Sequence, residues 1–256
     1  MTRTLALLVR QVRYVNKAFW RNPASAFFTF AMPLMFLVIF TSLLGSFKVR
    51  VGDVHISSAT YYVASMATFA LITACYTNVA MNVTFQRDLG ILKRTRGTPL
   101  PPASYFGARV VHALGVAVLL VVLTAAFGHF FYHAQIPSGA TLARFVAMLL
   151  VGAAAFSALG FAVASIVPNA DAAPAVVNAT ILPLLFLSGI FIPLGNSSPA
   201  WIRWIARVFP VEHFAAGMQA GFLGTHFSWG DVLVVAAWGA AGLLFAVRRF
   251  TWEPRT

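Results

Sequence analysis

The sequence predicts an all-α polytopic membrane protein with six transmembrane helices. Of its 256 residues, 60% are hydrophobic and only 9% are charged, whereas soluble globular domains carry about 25% charged residues. Charge-free stretches that reach or approach the length of a membrane span occur six times. A soluble fold of this size could not bury so much apolar surface, which argues against a soluble protein.

A surface helix is predicted ahead of the first span, within residues 1–22. Leu5, Leu8, Val12 and Val15 recur at helical spacing, with arginines between them. This pattern is typical of an amphipathic helix that lies on the inner membrane surface. The apolar run that follows is longer than the core of a signal peptide, and no convincing A-x-A site follows it. We therefore interpret that run as a retained first span.

The whole chain, 1–256, is interpreted as one transmembrane domain, whose spans are predicted at residues 24–44, 61–82, 110–131, 145–167, 172–194 and 232–247. The fifth span contains Pro183, which removes a backbone hydrogen bond and should kink the helix. Small residues recur at four-residue steps in the fourth span, at Ala154, Ala158 and Ala162, and a similar pattern occurs in the sixth. Because small residues let helices approach closely, we expect these two spans to pack within the subunit rather than form a dimer seam.

An outer helical segment is predicted between spans five and six, at residues 196–228. Starting at Trp201, apolar residues follow the i, i+3, i+4, i+7 spacing of a helix face. This spacing predicts a short helix that lies at the outer leaflet or dips into it, and that Pro210 ends. The residues singled out in this segment are Trp201, Trp204, Pro210, Glu212 and His213.

The distribution of positive charge predicts the orientation in the membrane. Thirteen of the 18 Lys and Arg residues fall on one side of the six-span topology, and they are Arg3, Arg10, Arg13, Lys17, Arg21, Arg87, Lys93, Arg94, Arg96, Arg109, Arg248, Arg249 and Arg255. By the positive-inside rule, both termini and the loop at residues 83–105 are expected in the cytoplasm of a multi-pass inner (plasma) membrane protein. The net charge of +12 is explained by topology, so no nucleic-acid partner is expected.

The sequence offers no catalytic, cofactor-binding or metal site. It contains no phosphate-binding G-x-x-x-x-G-K-[ST] loop, no H-E-x-x-H and no G-x-S-x-G. His129 and His133 are four residues apart on one helical face, but no third ligand lies nearby in the sequence. The single cysteine, Cys75, lies in an apolar run and is interpreted as a small buried hydrophobe. A membrane-embedded enzyme would need polar groups clustered at one depth, and no such cluster is found.

The densest group of charges lies in the stretch FQRDLGILKRTRGTPLPP, which begins at Phe85. Phe85, Leu89 and Leu92 recur at i, i+4 and i+7, and Gly97 with Pro99 supplies a stop signal. The pattern predicts a compact amphipathic helix at residues 85–96, weakened by Gly90. The simpler alternative is a solvated loop that serves only as a topology signal. The residues assigned to this helix are Phe85, Arg87, Asp88, Leu89, Gly90, Leu92, Lys93, Arg94 and Arg96.

Two motifs resemble the type-2 ABC exporter permeases, of which the daunorubicin-resistance and nodulation types are the nearest. The first is R-D-x-G-x-L-K-R-x-R-x-T-P-L, which starts at Arg87 and is followed by Tyr105 and Gly107. The second is LFLSGIFIPL at residues 185–194, followed by P-x-W-I-R-x-I-A-R-x-x-P-x-x-H at residues 199–213. The resemblance covers nearly the whole chain, with both motifs in order.

The resemblance implies the membrane-spanning subunit of an ATP-driven exporter. Two permeases, either two copies of this chain or one with a related chain, would associate with two ATP-binding subunits that hold ATP and magnesium. The loop at 83–105, here called the coupling loop, would seat its helix in a groove of the ATP-binding subunit. The turn at residues 168–174 would form a second, shorter contact.

The resemblance also places the pathway at the dimer interface, lined by spans two and five. The candidate lining residues are Thr68, Thr73, Tyr76, Asn178, Thr180 and Ser188. Their mixture of aromatic and small polar groups suits an amphiphilic drug, natural product or lipid. Export of a polysaccharide or lipo-oligosaccharide, and a non-transporting assembly subunit, are the alternatives left open.

Overall fold

Helices make up nearly all of the structure, a computed structural model that describes residues 2–44, 48–51, 54–193 and 199–253. A π-helical segment, Thr73–Thr77, joins the third helix to the fourth without a break. In chain order the α-helices are α1 (Thr2–Trp20), α2 (Pro23–Leu44), α3 (Ser58–Ile72), α4 (Asn78–Asp88), α5 (Ile91–Arg96), α6 (Pro102–Tyr132), α7 (Gly139–Ala164), α8 (Ala173–Leu187), α9 (Ala200–Val208), α10 (Pro210–Leu223) and α11 (Trp229–Arg249).

Five helical stretches within the described residues are long and apolar enough to cross a membrane. They are α2, the continuous stretch from α3 through α4, α6, α7 and α11. The predicted all-α polytopic membrane fold is therefore confirmed. The described residues also contain a two-stranded antiparallel hairpin after α2, formed by β1 (Lys48–Val51) and β2 (Val54–Ser57), which the sequence did not predict.

The N-terminal helix α1 packs along α6, as a surface helix would. Leu8, Val12 and Val15 are half-buried on this face, and a Cβ on Gly107 would lie 3.2 Å from Leu8 Cδ1. Leu5, which shares the predicted apolar stripe, is exposed instead. An exposed leucine on an amphipathic helix is suited to contact with lipid.

The second span is the central helix of the fold and is longer than predicted. It runs for 31 residues from Ser58 to Asp88, or about 46 Å at 1.5 Å per residue, against about 30 Å of hydrocarbon. Its π segment packs tightly on α7, since a Cβ on Gly160 would lie 2.9 Å from the Tyr76 carbonyl oxygen. The excess length lets α4 carry the start of the coupling loop beyond the apolar part of the bundle.

Helix α7 packs closely on α11 within the subunit, but the closest contacts are made beside the predicted four-residue steps rather than by them. A Cβ on Gly239 would lie 2.7 Å from the main chain of Ala155, and one on Gly242 would lie 2.8 Å from Leu159 Cδ2. Ala158 is buried, as the pattern predicted, whereas Ala154 is exposed.

The predicted fifth span, 172–194, is wrong in extent. The helix here is α8, with 15 residues, or about 22 Å, and it ends at Leu187. It continues through Pro183 and stops where Gly189 adopts a positive φ of 75°. Ile190 and Phe191 after this turn are buried, and Leu194 lies outside the described residues.

The outer segment contains two helices where the sequence predicted one. Pro210 ends α9, as expected, because Phe209 before it is extended, and it also opens α10 as its first residue. Trp201 and Trp204 of α9 are 62% and 76% exposed. By contrast, α10 packs against α3, α7 and α11, with Phe214 fully buried.

Candidate functional site

The coupling loop is bent, so the predicted single helix at 85–96 is wrong. Phe85, Arg87 and Asp88 belong to the end of α4, and α5 begins only at Ile91. Between them Gly90 has a φ of 69°, in the left-handed region. A Cβ at Gly90 would meet nothing within 4 Å, so the backbone conformation alone favours glycine here.

The bend divides the predicted apolar face into a buried part and an exposed part. Leu92 is fully buried, whereas Leu89 is 66% exposed and Phe85 39% exposed. Ile91 is exposed beside them. The coupling loop therefore presents an apolar patch bordered by exposed positive side chains, namely Lys93, Arg94 and Arg96.

Arg87 is fully buried in the subunit and does not lie on that exposed surface, contrary to its assignment to a partner-binding helix. Its guanidinium donates to the Ala164 carbonyl at 2.8 Å, to Val167 at 2.5 Å and to Pro168 at 3.2 Å. These carbonyls belong to the end of α7 and the residues that follow. A cation at a helix C-terminus satisfies orphan carbonyls and complements the helix dipole.

Asp88 binds the same turn from the next position along the chain. Its Oδ2 accepts a hydrogen bond from the Ala170 amide at 2.9 Å. Arg87 and Asp88 thus fix the coupling loop to the turn at 168–174, the two segments that the resemblance identified as separate contacts. The ion pair of Lys93 with Glu253, at 3.8 Å, adds little because both side chains are largely exposed.

A second buried cation, Arg109, lies in the second turn of α6. Its guanidinium carbon is 3.4 Å from the centre of the Tyr105 ring, and its nitrogens donate to Gln86 Oε1 and to the Tyr105 carbonyl. Sequence reasoning counted Arg109 only as a topology charge. The sequence did offer one signal that Arg109 is buried. The prolines at 101–102 start the helix ahead of it, so Arg109 lies inside an apolar helix rather than at its edge.

The candidate pathway residues fall into two groups. The Tyr76 and Thr180 hydroxyls are hydrogen-bonded at 2.6 Å, which joins the π segment to α8. Thr73 and Asn178 are half-buried nearby in the same two helices.

Three of the six predicted pathway residues are buried in this structure, and their assignment to the pathway stays a prediction. Thr68 and Ser188 are buried and donate to carbonyls of their own helices, at Ala64 and Leu185. Tyr76 is buried as well, with its hydroxyl bonded to Thr180. Helical periodicity alone could not separate these three buried residues from Thr180, which is exposed.

An aromatic cluster joins α2, α3 and the end of α8. Phe191 is its centre, with ring centroids 5.1 to 5.8 Å from its neighbours. Those neighbours are Phe36, Phe40, Phe69 and Phe186. Tyr61 adds a hydrogen bond to the Gly189 carbonyl, which ties the turn after α8 to α3.

His213 is the centre of a polar cluster in the outer segment. Its Nδ1 lies 2.6 Å from Asp231 Oδ1 and its Nε2 lies 2.9 Å from the Arg207 carbonyl, while Glu212 is 3.8 Å away. Burial acts to lower the pKa of His213, but these acceptors and negative charges outweigh burial and raise it. Burial raises the pKa of Glu212, and the charge of His213 offsets this only in part.

The described residues contain no group of three side chains that could hold a metal ion. His129 Nδ1 lies 3.0 Å from the Ala134 carbonyl, and His133 is the left-handed C-cap of α6. The paired histidines therefore end a helix. Cys75 is buried, as expected.

The similarity to known proteins extends over most of the chain, including the coupling loop and α9. A family model described as ABC-2 type transporter matches residues 2–223. The inner membrane transport permease YadH of Escherichia coli K12 is 29% identical over 211 residues, which are 80% of this chain and 76% of that protein. The daunorubicin resistance ABC transporter permease protein DrrB1 of Streptomyces coeruleorubidus is 28% identical over 232 residues (86% and 77%). The putative transport permease ycf38 of Cyanophora paradoxa is 26% identical over 215 residues (82% and 71%).

Proposed function

We propose that this chain, which belongs to the ABC-2 type transporter family, is the membrane-spanning subunit of an exporter driven by a separate ATP-binding subunit. The family membership confirms the resemblance drawn from the coupling loop and the outer motif. Two permeases and two ATP-binding subunits would form the working assembly, with ATP and magnesium on the latter. The chain would lie in the inner membrane with both termini in the cytoplasm.

The joined coupling loop and 168–174 turn carry this proposal. Arg87 and Asp88 make two hydrogen bonds to the turn, at Pro168 and Ala170, and Arg87 makes two more to the end of α7 just before it. The two segments are therefore expected to move together. The exposed patch around Leu89 is apolar with positive borders, which suits a groove on a partner protein. ATP binding can shift the permease only through contacts that differ between the states of the partner, and a fixed unit can transmit such a shift.

The proposed substrate is an amphiphile, such as a drug, a natural product or a lipid. The exposed Thr180 and Phe186 offer a polar and an aromatic contact on α8, beside the Tyr76 hydroxyl to which Thr180 is bonded. The name of the DrrB1 relative includes daunorubicin resistance, which makes daunorubicin a reasonable first probe.

The test compares Leu89→Asp with Thr98→Asp, which places the same charge at an exposed position beyond α5. Both chains should insert normally, because neither side chain is buried. In cells that also make the ATP-binding subunit, the Leu89 variant should lose efflux of transported amphiphiles at least tenfold, and the Thr98 variant should keep it. Normal efflux by the Leu89 variant would contradict the proposed coupling role.

A further inference from the structure

A cavity of about 130 Å³ with both apolar and polar walls opens between α1, the start of α2, the second span and α6. One part of its wall is apolar and includes Phe19, Val79 and Val116. The surface helix α1 forms one side, which places the cavity where the bundle meets the membrane surface. The polar part of the wall comprises Asn22, Ser25, Asn78, Asn82, Gln86, Arg109 and His112.

Arg109 gives this cavity a positive charge that the protein leaves uncompensated. The side chain is only 6% exposed, and its partners are two neutral oxygens and the face of Tyr105. Among the described residues no carboxylate forms an ion pair with it, and the cavity wall contains no Asp or Glu. A buried charge without a counter-ion is costly, so an anion in the cavity would lower the free energy of the folded state.

The guanidinium is held in place for such an anion. Gln86 Oε1 accepts from Arg109 and, at 3.3 Å, from the Tyr105 hydroxyl, so the acceptor that orients the fork is itself fixed. Asn78 and Asn82 also line the cavity, and although each side-chain amide donates one hydrogen bond within the protein, each carries a second N–H. The N-terminus of α2 at Pro23 adds a partial positive charge, and Arg is well matched to phosphate oxygens.

We propose that this cavity binds the phosphate headgroup of an anionic phospholipid from the leaflet on the coupling-loop side. The volume corresponds to roughly four water molecules at about 30 Å³ each, enough for a phosphate and the atoms next to it but not for a whole lipid. The acyl chains would pass along the apolar wall into the bilayer. A phospholipid satisfies both the cation and that wall, whereas a free phosphate ion satisfies only the cation.

The site goes beyond the proposed transport function and does not depend on it. The site is close to the clamp made by Arg87, because Gln86, which binds Arg109, is the residue next to Arg87 in the chain. A bound headgroup would therefore fasten α1 to the helix that carries the coupling loop.

The test measures lipid binding by the purified full-length chain in detergent, using native mass spectrometry. Dioleoyl phosphatidylglycerol is titrated against dioleoyl phosphatidylcholine. We expect one phosphatidylglycerol to be retained per chain, with at least tenfold tighter binding than phosphatidylcholine. Asn82→Asp, which places a carboxylate at the exposed edge of the cavity, should remove that preference, and Asn82→Gln should keep it.

Further arms separate the possible outcomes. Arg109→Gln should also remove the preference, while Arg144→Gln, an exposed arginine near the start of α7, should not. If Arg109→Gln fails to fold, the comparison of Asn82→Asp with Asn82→Gln tests the proposal by itself. Equal retention of both lipids, equal loss in Asn82→Asp and Asn82→Gln, or displacement of phosphatidylglycerol by 10-fold excess inorganic phosphate would each overturn the proposal.

Discussion

Arg87 is a full positive charge in the interior of a membrane protein, with three main-chain carbonyls as its partners. Hydrogen bonds to charged groups are stronger than neutral ones, and an unsatisfied buried carbonyl is costly. The side chain therefore acts as a clamp between the end of the second span and the end of α7. That role differs from the partner contact that the sequence suggested.

Replacing Arg87 with Met should destabilise the folded chain by about 3 kcal/mol, because the clamped carbonyls lose their donor. Arg87→Lys should lower the free energy of unfolding by less than Arg87→Met, because an ammonium keeps the charge but not the planar fork of donors. Denaturant unfolding in detergent measures the effect. Arg96→Met, an exposed arginine of the same loop, is the control and should change the free energy of unfolding by no more than about 0.5 kcal/mol.

The sequence could not separate Arg87 from Arg96 because both are arginines in one charged stretch. What distinguishes them is the end of α7, some 80 residues later, whose carbonyls need a donor. Arg109 was missed for the same reason. Long-range partners decide whether a charge near the end of a span is a topology signal or part of the interior.

The His213 cluster should make stability depend on pH. The pKa of His213 is raised in the folded state above its ordinary value of about 6.5. Its contribution to the free energy of unfolding is therefore fully present below pH about 6.5 and is lost as pH rises through the folded pKa. The stability difference between the native chain and His213→Gln should therefore shrink from pH 6 to pH 8.5. Denaturation midpoints of both chains across that range measure it, and a constant difference would contradict the assignment.

At the scale of elements, hydropathy located the spans but not their ends. The second span is extended past its predicted limit because α4 continues into the coupling loop, and α8 is shortened because Gly189 turns the chain. Neither feature changes average hydrophobicity. The small-residue pattern was informative only in part, because Gly239 meets Ala155 at the α7–α11 contact while Ala154 of the predicted steps is exposed.

The α7–α11 contact yields a prediction for Gly239→Val. A Cβ there would lie 2.7 Å from the main chain of Ala155, which cannot move aside as a flexible side chain could. The two helices must separate, at a cost of about 2 kcal/mol or more in the free energy of unfolding. Ala240, the next residue, is exposed, so Ala240→Val should leave the free energy of unfolding nearly unchanged. Equal effects in unfolding experiments would indicate that this glycine is not at a close contact.

At the scale of the whole molecule, the structure is a permease bundle in which the coupling loop is densely anchored to the end of α7. The central second span links the aromatic cluster, the Tyr76–Thr180 pair and the coupling loop in a single continuous helix. If the coupling-loop end of the second span is displaced, the Tyr76–Thr180 pair and the aromatic cluster on the same helix are expected to shift with it. Family and fold class were predictable from two local motifs and composition, whereas this linkage depends on the length of one helix.

The most direct test of the central claim is photo-crosslinking from the coupling loop. A benzoylphenylalanine at the exposed Leu89 position should form an adduct, identified by mass spectrometry, with the ATP-binding subunit in membranes that contain both proteins. The same probe at Trp204, exposed on α9 in the outer segment, should not. Absence of the adduct at Leu89, or equal adducts at both positions, would contradict the account.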